Sequence, residues 1–363
     1  MKKKFPILKN LNNALITHKS PVYLIHFVTQ RCNARCPHCF VDFKNGDNEL
    51  TLEQIEKTAS TTGGCLRNIA LTGGEPFIRN DLFEIADIWY TNSTIQTISI
   101  TTNGSMPQKI EDFALKAVKK DIPVSFFFSY NYIGEKHSSY RNLKDLHLNV
   151  IESYKIIKSF KNKLNGTFQI TVNPDNYDSA FETYKYMRDV LNIQNINCTM
   201  IRGEKAECLT PMRRDNIAAA YKQIAVQRDN DFDTGFISGF TDKSLTSLLL
   251  NAKNKMLWKY VLKTFNEKKY ISPCHAGSLF GIIYANGDVA PCELLNKKEG
   301  NLKDYDFNLL KCLHNIEAEK IKKEILCSKC HCTFECSWLI NIFSSPRYYG
   351  ELVYHILKNI LRK

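Results

Sequence analysis

The chain has 363 residues, of which 44% are hydrophobic and 24% charged, with 49 Lys plus Arg against 37 Asp plus Glu and a formal net charge of +12. This composition excludes a mainly disordered chain, and the length is enough to bury a sizeable core without covalent staples. Thirteen cysteines are too sparse for a disulfide scaffold, and no apolar run approaches the ~20 residues of a membrane span.

Met1-Lys2-Lys3-Lys4 opens the chain without an apolar stretch behind it, because Asn10, Asn12 and Asn13 interrupt. No export signal is read there, and a cytoplasmic location with reduced thiols is the expectation. Val22–Val28 is an almost unbroken apolar run, which suits a strand buried on both faces. Thr51-Leu52-Glu53-Gln54 has the form of a capping box and predicts a helix to about Ser60. Strands are expected at Asn68–Thr72, Thr97–Thr101, Pro123–Ser129, Thr167–Val172 and Asn195–Ile201. Helices are expected between and after them, at Asp81–Tyr90, Pro107–Lys119, Lys144–Phe160, Tyr177–Val190 and Met212–Gln227. Alternation of this kind predicts an α/β fold with a parallel sheet covered by helices. Periodicity leaves an open doubly wound sheet and a partial barrel equally available. In both, reactive groups gather at the C-terminal ends of the strands.

The cysteines are not spread evenly. Cys32, Cys36 and Cys39 follow directly after the first strand. A structural zinc site normally has four protein ligands, and His38 could serve as the fourth. The alternative is an iron–sulfur cube, which takes one thiolate per iron. Three thiolates then leave one iron open to a small molecule. Gly73-Gly74-Glu75-Pro76 follows the second predicted strand. Its glycines let backbone approach a ligand closely, and Glu75 can accept a hydrogen bond from an ammonium group. A plain turn is the competing reading of that tetrapeptide.

Cys-x-x-x-Cys-x-x-Cys in this place resembles the radical S-adenosylmethionine (SAM) superfamily. The resemblance implies a [4Fe–4S] cluster with an open iron, held by Cys32, Cys36 and Cys39. SAM would bind that iron and be cleaved reductively to a 5′-deoxyadenosyl radical, which abstracts hydrogen from a substrate. Gly73, Gly74, Glu75 and Pro76 look like the family's GGEP motif, which holds the SAM amino group. Thr102, Asn103 and Gly104 resemble its TNG segment near the SAM ribose and carboxylate. Ser129 matches a serine near SAM, although Asn131 stands where many relatives have Asp. Arg141, in the segment Gly134–Arg141, could pair with a carboxylate. The resemblance covers about Val22–Gly203 and implies a partial (β/α)6 TIM barrel.

The last quarter holds seven more cysteines: Cys274, Cys292, Cys312, Cys327, Cys330, Cys332 and Cys336. Gly281–Ala290 reads as a hairpin with an Asn-Gly turn, which would bring Cys274 and Cys292 together. The unit resembles the SPASM/twitch extension of the same superfamily. It lacks a cysteine four positions after Cys336, where Ile340 stands. The expectation is one auxiliary [4Fe–4S] cluster on Cys274, Cys292 and Cys330, with Cys327 or Cys336 as the fourth ligand. Cys332 and Cys312 could complete a second, open cluster, and a zinc ribbon is the alternative. Cys65, Cys198 and Cys208 are read as buried free thiols.

The domain expectation is an N-terminal extension (1–20), a radical SAM core (21–205), a helical connector (206–270), a SPASM/twitch domain (271–340) and a basic C-terminal helix (341–363). Lys253, Lys255, Lys259, Lys263, Lys268 and Lys269 read first as a solvated helical face. A basic face could instead dock an acidic electron donor such as flavodoxin or ferredoxin, and the tail could touch a membrane surface. No nucleic-acid module is present.

The resemblance implies an enzyme, oxidoreductase-like. The first reading of its substrate is a small polar metabolite, such as a sugar or aminoglycoside, undergoing oxidation, epimerisation or dehydration. The second is a ribosomal peptide. The first strand begins too early to leave room for an N-terminal leader-binding domain, so a separate partner would supply one. A non-enzymatic zinc or iron–sulfur protein is the reading from another class.

Overall fold

Tyr23–Thr29 forms β1, and six of its seven residues are buried, as the unbroken apolar run requires. It pairs in parallel with a strand on each side: β2 (Asn68–Gly73) on one edge and a strand from the last quarter of the chain on the other. The computed structural model describes residues 6–41, 48–160, 163–237 and 244–361. These fall into two compact units.

The first unit runs as far as Tyr130 and includes Gly134–Gly166 and His275–Ser328. Its sheet continues from β2 to β3 (Thr97–Thr102) and β4 (Val124–Ser129), all parallel. β7 (Phe280–Ile283) lies on the other side of β1, followed by antiparallel β8 (Asp288–Ala290) and β9 (Gly300–Asn301). The expected Asn-Gly hairpin is the β7–β8 connection, where Gly287 adopts a φ of +90° that suits glycine. Helices Leu52–Ser60, Leu82–Asn92, Pro107–Lys119 and Leu146–Ser159 connect or follow the strands.

The first of these helices starts as its sequence demands. Thr51 Oγ1 accepts from the Gln54 N–H at 3.3 Å, and Gln54 Oε1 accepts from the Thr51 N–H at 3.1 Å. Beneath the sheet, Trp89 Nε1 donates to His26 Nδ1 at 3.1 Å, and burial holds His26 neutral with a pKa down to about 3. Phe77, Phe113 and Phe126 pack as an aromatic cluster with centroids 5.8–6.4 Å apart. The consequence for function is the alignment of strand ends. Thr29, Gly73, Thr102 and Ser129 close β1 to β4 at the same carboxyl edge of a parallel sheet.

The second unit comprises Asn131–Ile133, Thr167–Cys274 and the chain from Lys329 onward. It contains β5 (Asn165–Val172), from Thr167 on, paired in parallel with β6 (Ile196–Met200). The helix expected at Tyr177–Val190 starts later, at Ala180, and ends in a π-helical turn over Tyr186–Val190. Asn173, Asp175 and Asn176 bond one another in the intervening turn and keep it out of the helix. The long helix Leu245–Glu267 packs against Pro211–Asp233, Glu335–Ser344 and the final helix Tyr349–Leu361. The expected lysine face on it is partly neutralised, because Lys255 pairs with Asp233 and Lys259 with Glu351. Among the described residues, no helix is long and apolar enough to cross a membrane.

Candidate functional site

The thiol segment leaves the end of β1 and is moored at its root. Gly74 N–H donates to Thr29 O at 3.0 Å and Glu75 N–H to Arg31 O at 2.9 Å. Contact this close requires glycine. A Cβ on Gly73 would lie 2.1 Å from Thr29 O, and one on Gly74 would lie 2.1 Å from Arg31 O and 2.9 Å from Cys32 Cβ. From the other side, the Glu49 carboxylate accepts from Thr29 Oγ1 and from the Arg31 guanidinium, at 3.0 Å for Nη2. Buried Arg79 completes the base. It forks onto Asp81 at 2.7 and 2.9 Å, and donates to Val28 O and Leu50 O at 2.9 and 2.8 Å.

Glu75 sits at the centre of the site with its carboxylate buried. Oε1 accepts from Thr102 Oγ1 at 2.7 Å and from the Phe77 N–H at 3.1 Å, and Oε2 accepts from the Asn103 N–H at 2.7 Å. Burial pushes its pKa up, against the pull of these donors and of the Arg141 charge. Three sequence motifs therefore meet in one network. Asn103 Nδ2 also donates to Asn33 Oδ1 at 2.9 Å, inside the thiol segment, and Asn33 Nδ2 donates to Ser105 Oγ at 2.9 Å.

The fourth motif joins from the far side. Arg35 N–H donates to Arg141 O at 2.9 Å, and His38 Nδ1 lies 2.9 Å from Tyr140 Oη with the two rings stacked. Arg141 is buried. His137 is fully buried against Tyr130, with centroids 4.6 Å apart. Burial first, then the Arg141 charge, holds its pKa well below the usual imidazole value. Ser129 ends β4 half-buried at the same sheet edge. Asn131 belongs to the second unit, where its Nδ2 donates to Thr171 O at 3.4 Å.

Cys32, Cys36 and Cys39 are each partly exposed. The Cys32 thiol is pushed up to about 11 by burial, with the neighbouring charges of Glu75, Cys36 and Cys39 adding to it and the Ala34 N–H opposing. Among the described residues no three His, Cys, Asp or Glu side chains converge as a ready-made metal site. The donor chemistry nonetheless fits a cationic cluster: three soft sulfurs lie on one short segment, close enough to raise the cost of ionising together.

The C-terminal thiols divide between the units. In the second, Cys274 Sγ lies 3.3 Å from Ser337 Oγ, and its nearby charge adds to the burial that pushes Cys330 up to about 11. Cys332 O accepts from Trp338 Nε1 at 2.9 Å, and Cys336 sits in the first turn of Glu335–Ser344. Glu335 ties that turn to β6, accepting from the Met200 N–H at 3.0 Å and from Arg202 at 3.2 Å. In the first unit, Cys292 Sγ accepts from the Leu295 N–H at 3.4 Å. Cys312 is fully buried, and Cys327 is exposed at the last residue of helix Ile316–Cys327. Cys65 and Cys198 are buried as expected, whereas Cys208 is exposed. It caps the single helical turn Glu204–Glu207, too short to cover its own end.

Sequence reasoning missed Glu49, Arg79, Asn33 and Ser105. Arg79-x-Asp81 ahead of a helix was the available signal for one of them. The others act through tertiary contacts.

Residues 27–187 match the radical SAM superfamily. The GTP 3′,8-cyclase of Staphylococcus carnosus is 31% identical over 168 residues, 44% of this chain and 49% of the cyclase. The antilisterial bacteriocin subtilosin biosynthesis protein AlbA of Bacillus subtilis is 28% identical over 140 residues, 38% of this chain and 30% of AlbA. The chain thus spans about half the length of the first relative and less of the second. The solved structure of anSMEcpe with bound AdoMet and Kp18Cys peptide matches with a TM-score of 0.61 at 17% identity, covering 94% of this chain and 98% of that one. At that identity the likeness shows fold alone: an α/β partial barrel with a parallel-strand sheet and an additional C-terminal domain.

Proposed function

We propose that this chain, a radical SAM superfamily enzyme by its match over residues 27–187, cleaves SAM reductively and abstracts hydrogen from a peptide substrate. The observation that carries the first half is the convergence of four motifs on the buried Glu75 carboxylate and the thiol segment. When bound, a [4Fe–4S] cluster supplies the electron that breaks the sulfonium bond of SAM.

The protein's own residues do the rest. Cys32, Cys36 and Cys39 would hold the cluster. Gly73 and Gly74 bring bare backbone to the foot of the thiol segment, so SAM can lie against the strand ends. Glu75 locks that backbone to Asn103, which keeps the amino-acid end of SAM and the thiol segment in fixed register. Its spare lone pair on Oε2 is available to the SAM ammonium. Arg141 and Asn103 supply donors for the SAM carboxylate and ribose. The C-terminal thiols Cys274 and Cys330 lie close together in the second unit and are the firmest ligands of an auxiliary cluster. Cys336, in the first turn of Glu335–Ser344 in the same unit, is a third ligand. A carrier such as flavodoxin or ferredoxin would reduce the cluster beforehand.

The peptide reading rests on the near-complete fold match to a peptide-bound structure and on the likeness to AlbA. The likeness to a GTP 3′,8-cyclase supports a second reading, a small polar substrate of the nucleotide kind. The test is anaerobic iron and sulfide analysis with a SAM-cleavage assay. The triple variant Cys32→Ala, Cys36→Ala, Cys39→Ala should lose about four irons and all 5′-deoxyadenosine formation. Zinc without sulfide in the wild type, or SAM cleavage by the variant, refutes the enzymatic reading. Stimulation of cleavage by GTP and not by candidate precursor peptides overturns the peptide half alone.

A further inference from the structure

The final helix Tyr349–Leu361 is apolar on both sides, and among the described residues one side alone is packed. Leu352 is buried where the helix packs on Leu245–Glu267. Val353, Tyr354, Leu357, Ile360 and Leu361 point outward, each 43–79% exposed. Their spacing of i, i+1, i+4, i+7 and i+8 makes one continuous stripe along three turns. Five large apolar side chains aligned in this way are a patch, not the scattered exposure normal for a soluble surface.

Charge identifies what the stripe fits. The helix has one acidic residue, Glu351, and it faces inward, bonded to Lys259 Nζ at 3.0 Å and Tyr260 Oη at 2.6 Å. Lys358 is exposed on the stripe itself, with its Nζ 5.9 Å from the Tyr354 ring centroid. Arg347 precedes the helix, and Arg362 and Lys363 follow in the sequence. Among the described residues of this helix, the outward face is therefore apolar, with Lys358 as its one charge. A second copy of this chain docked on it would bring those cations against their own duplicates. An anionic lipid surface takes both features: apolar side chains enter the acyl boundary while the lysine stem lies along it and the ammonium reaches the headgroups.

The same pattern recurs in the first unit. Ile7, Leu8, Leu11, Leu15 and Ile16 are exposed on the continuous helical stretch Ile7–Thr17. Lys2, Lys3, Lys4, Lys9 and Lys19 precede the first acidic residue of the sequence, Asp42.

We propose that the outward face of the final helix is a contact for an anionic membrane surface, which makes this a peripheral membrane enzyme. The proposal does not depend on the reaction assigned above. The test is flotation of the full-length protein with phosphatidylcholine–phosphatidylglycerol vesicles and with phosphatidylcholine vesicles. The expected result is partition onto the anionic vesicles, weaker on the order of tenfold on the neutral ones and at high salt. The double variant Leu357→Gln, Ile360→Gln should lose anionic binding on the order of tenfold, with far-UV circular dichroism unchanged. Lys358→Glu, which leaves the apolar packing intact, serves as a second variant and should also weaken it. Wild-type protein that stays unbound, or variants that float as well as wild type, overturns the proposal. A lipid-independent dimer that these substitutions dissolve overturns it too, in favour of a second copy.

Discussion

Glu75→Gln tests the centre of the site with an isosteric change. The carboxylate offers two acceptor oxygens to three donors. An amide has one oxygen. Placed at the Oε1 position, it keeps Thr102 Oγ1 and the Phe77 N–H, and turns its own NH2 group toward the Asn103 N–H. Placed at Oε2, it keeps Asn103 and faces the Phe77 N–H instead. Thr102 cannot fully compensate, because its hydroxyl already accepts from the Gly104 N–H at 3.0 Å. Either way at least one buried backbone N–H meets a donor, which costs about 1–3 kcal/mol, and charge assistance is lost from the bonds that remain. The neutral amide escapes the burial penalty that pushes the carboxyl pKa up, so the net expectation is the middle of that range, about 2 kcal/mol. For a domain of this size that lowers Tm by about 4–8 °C. The assay is thermal unfolding of the anaerobic holoenzyme at fixed protein and SAM concentration, with SAM affinity measured in parallel. SAM should bind more weakly, since the register between Asn103 and the thiol segment loosens. A variant as stable as wild type would show that the network round Glu75 holds nothing together.

Two further substitutions probe different physics. Gly74→Ala would drive a methyl group to 2.1 Å from Arg31 O and 2.9 Å from Cys32 Cβ. The thiol segment must shift, and iron incorporation at the first cluster should fall sharply with the C-terminal thiols unaffected; normal iron content in this variant contradicts the close approach. Glu299 gives a pH dependence. It is buried, neither carboxylate oxygen has a hydrogen-bond partner among the described residues, and burial raises its pKa to about 8. A carboxyl raised in this way contributes stability that is full below its unfolded value and lost as pH rises through the folded value. Wild-type stability should therefore fall between about pH 4.5 and 8, by up to about 1.4 kcal/mol per pH unit relative to Glu299→Gln. Denaturant unfolding of both proteins across that range decides it, and parallel curves refute the assignment.

Local signals made much of the fold legible. The capping box at Thr51, the helix Pro107–Lys119 and all six parallel strands of the β–α repeat lie where periodicity puts them. The Asn-Gly hairpin was equally plain, but its partner was not. β7 pairs in parallel with β1 across more than two hundred and fifty residues of sequence, and no periodicity within either strand encodes that choice. The π-helical turns at Asn13–Thr17 and Tyr186–Val190 also left no trace, since their residues suit an ordinary helix. In the site, spacing revealed the thiols and the glycine pair because chemistry constrains both. It could not reveal that Glu75 spends its lone pairs chiefly on Thr102, Asn103 and Phe77, nor that Arg79 reaches three separate segments, because those bonds exist only once the chain has folded.

The way the thiol segment is moored bears on repair after oxygen damage. Its root is held by Gly74 and Glu75 N–H groups and by Glu49, and none of these is a sulfur. Air that strips iron from such a loop removes the cargo and leaves the berth standing. Once an added thiol has reduced the three cysteines, the apoprotein should take up iron and sulfide again without passing through the unfolded state, which makes exposure to air a reversible injury at this centre.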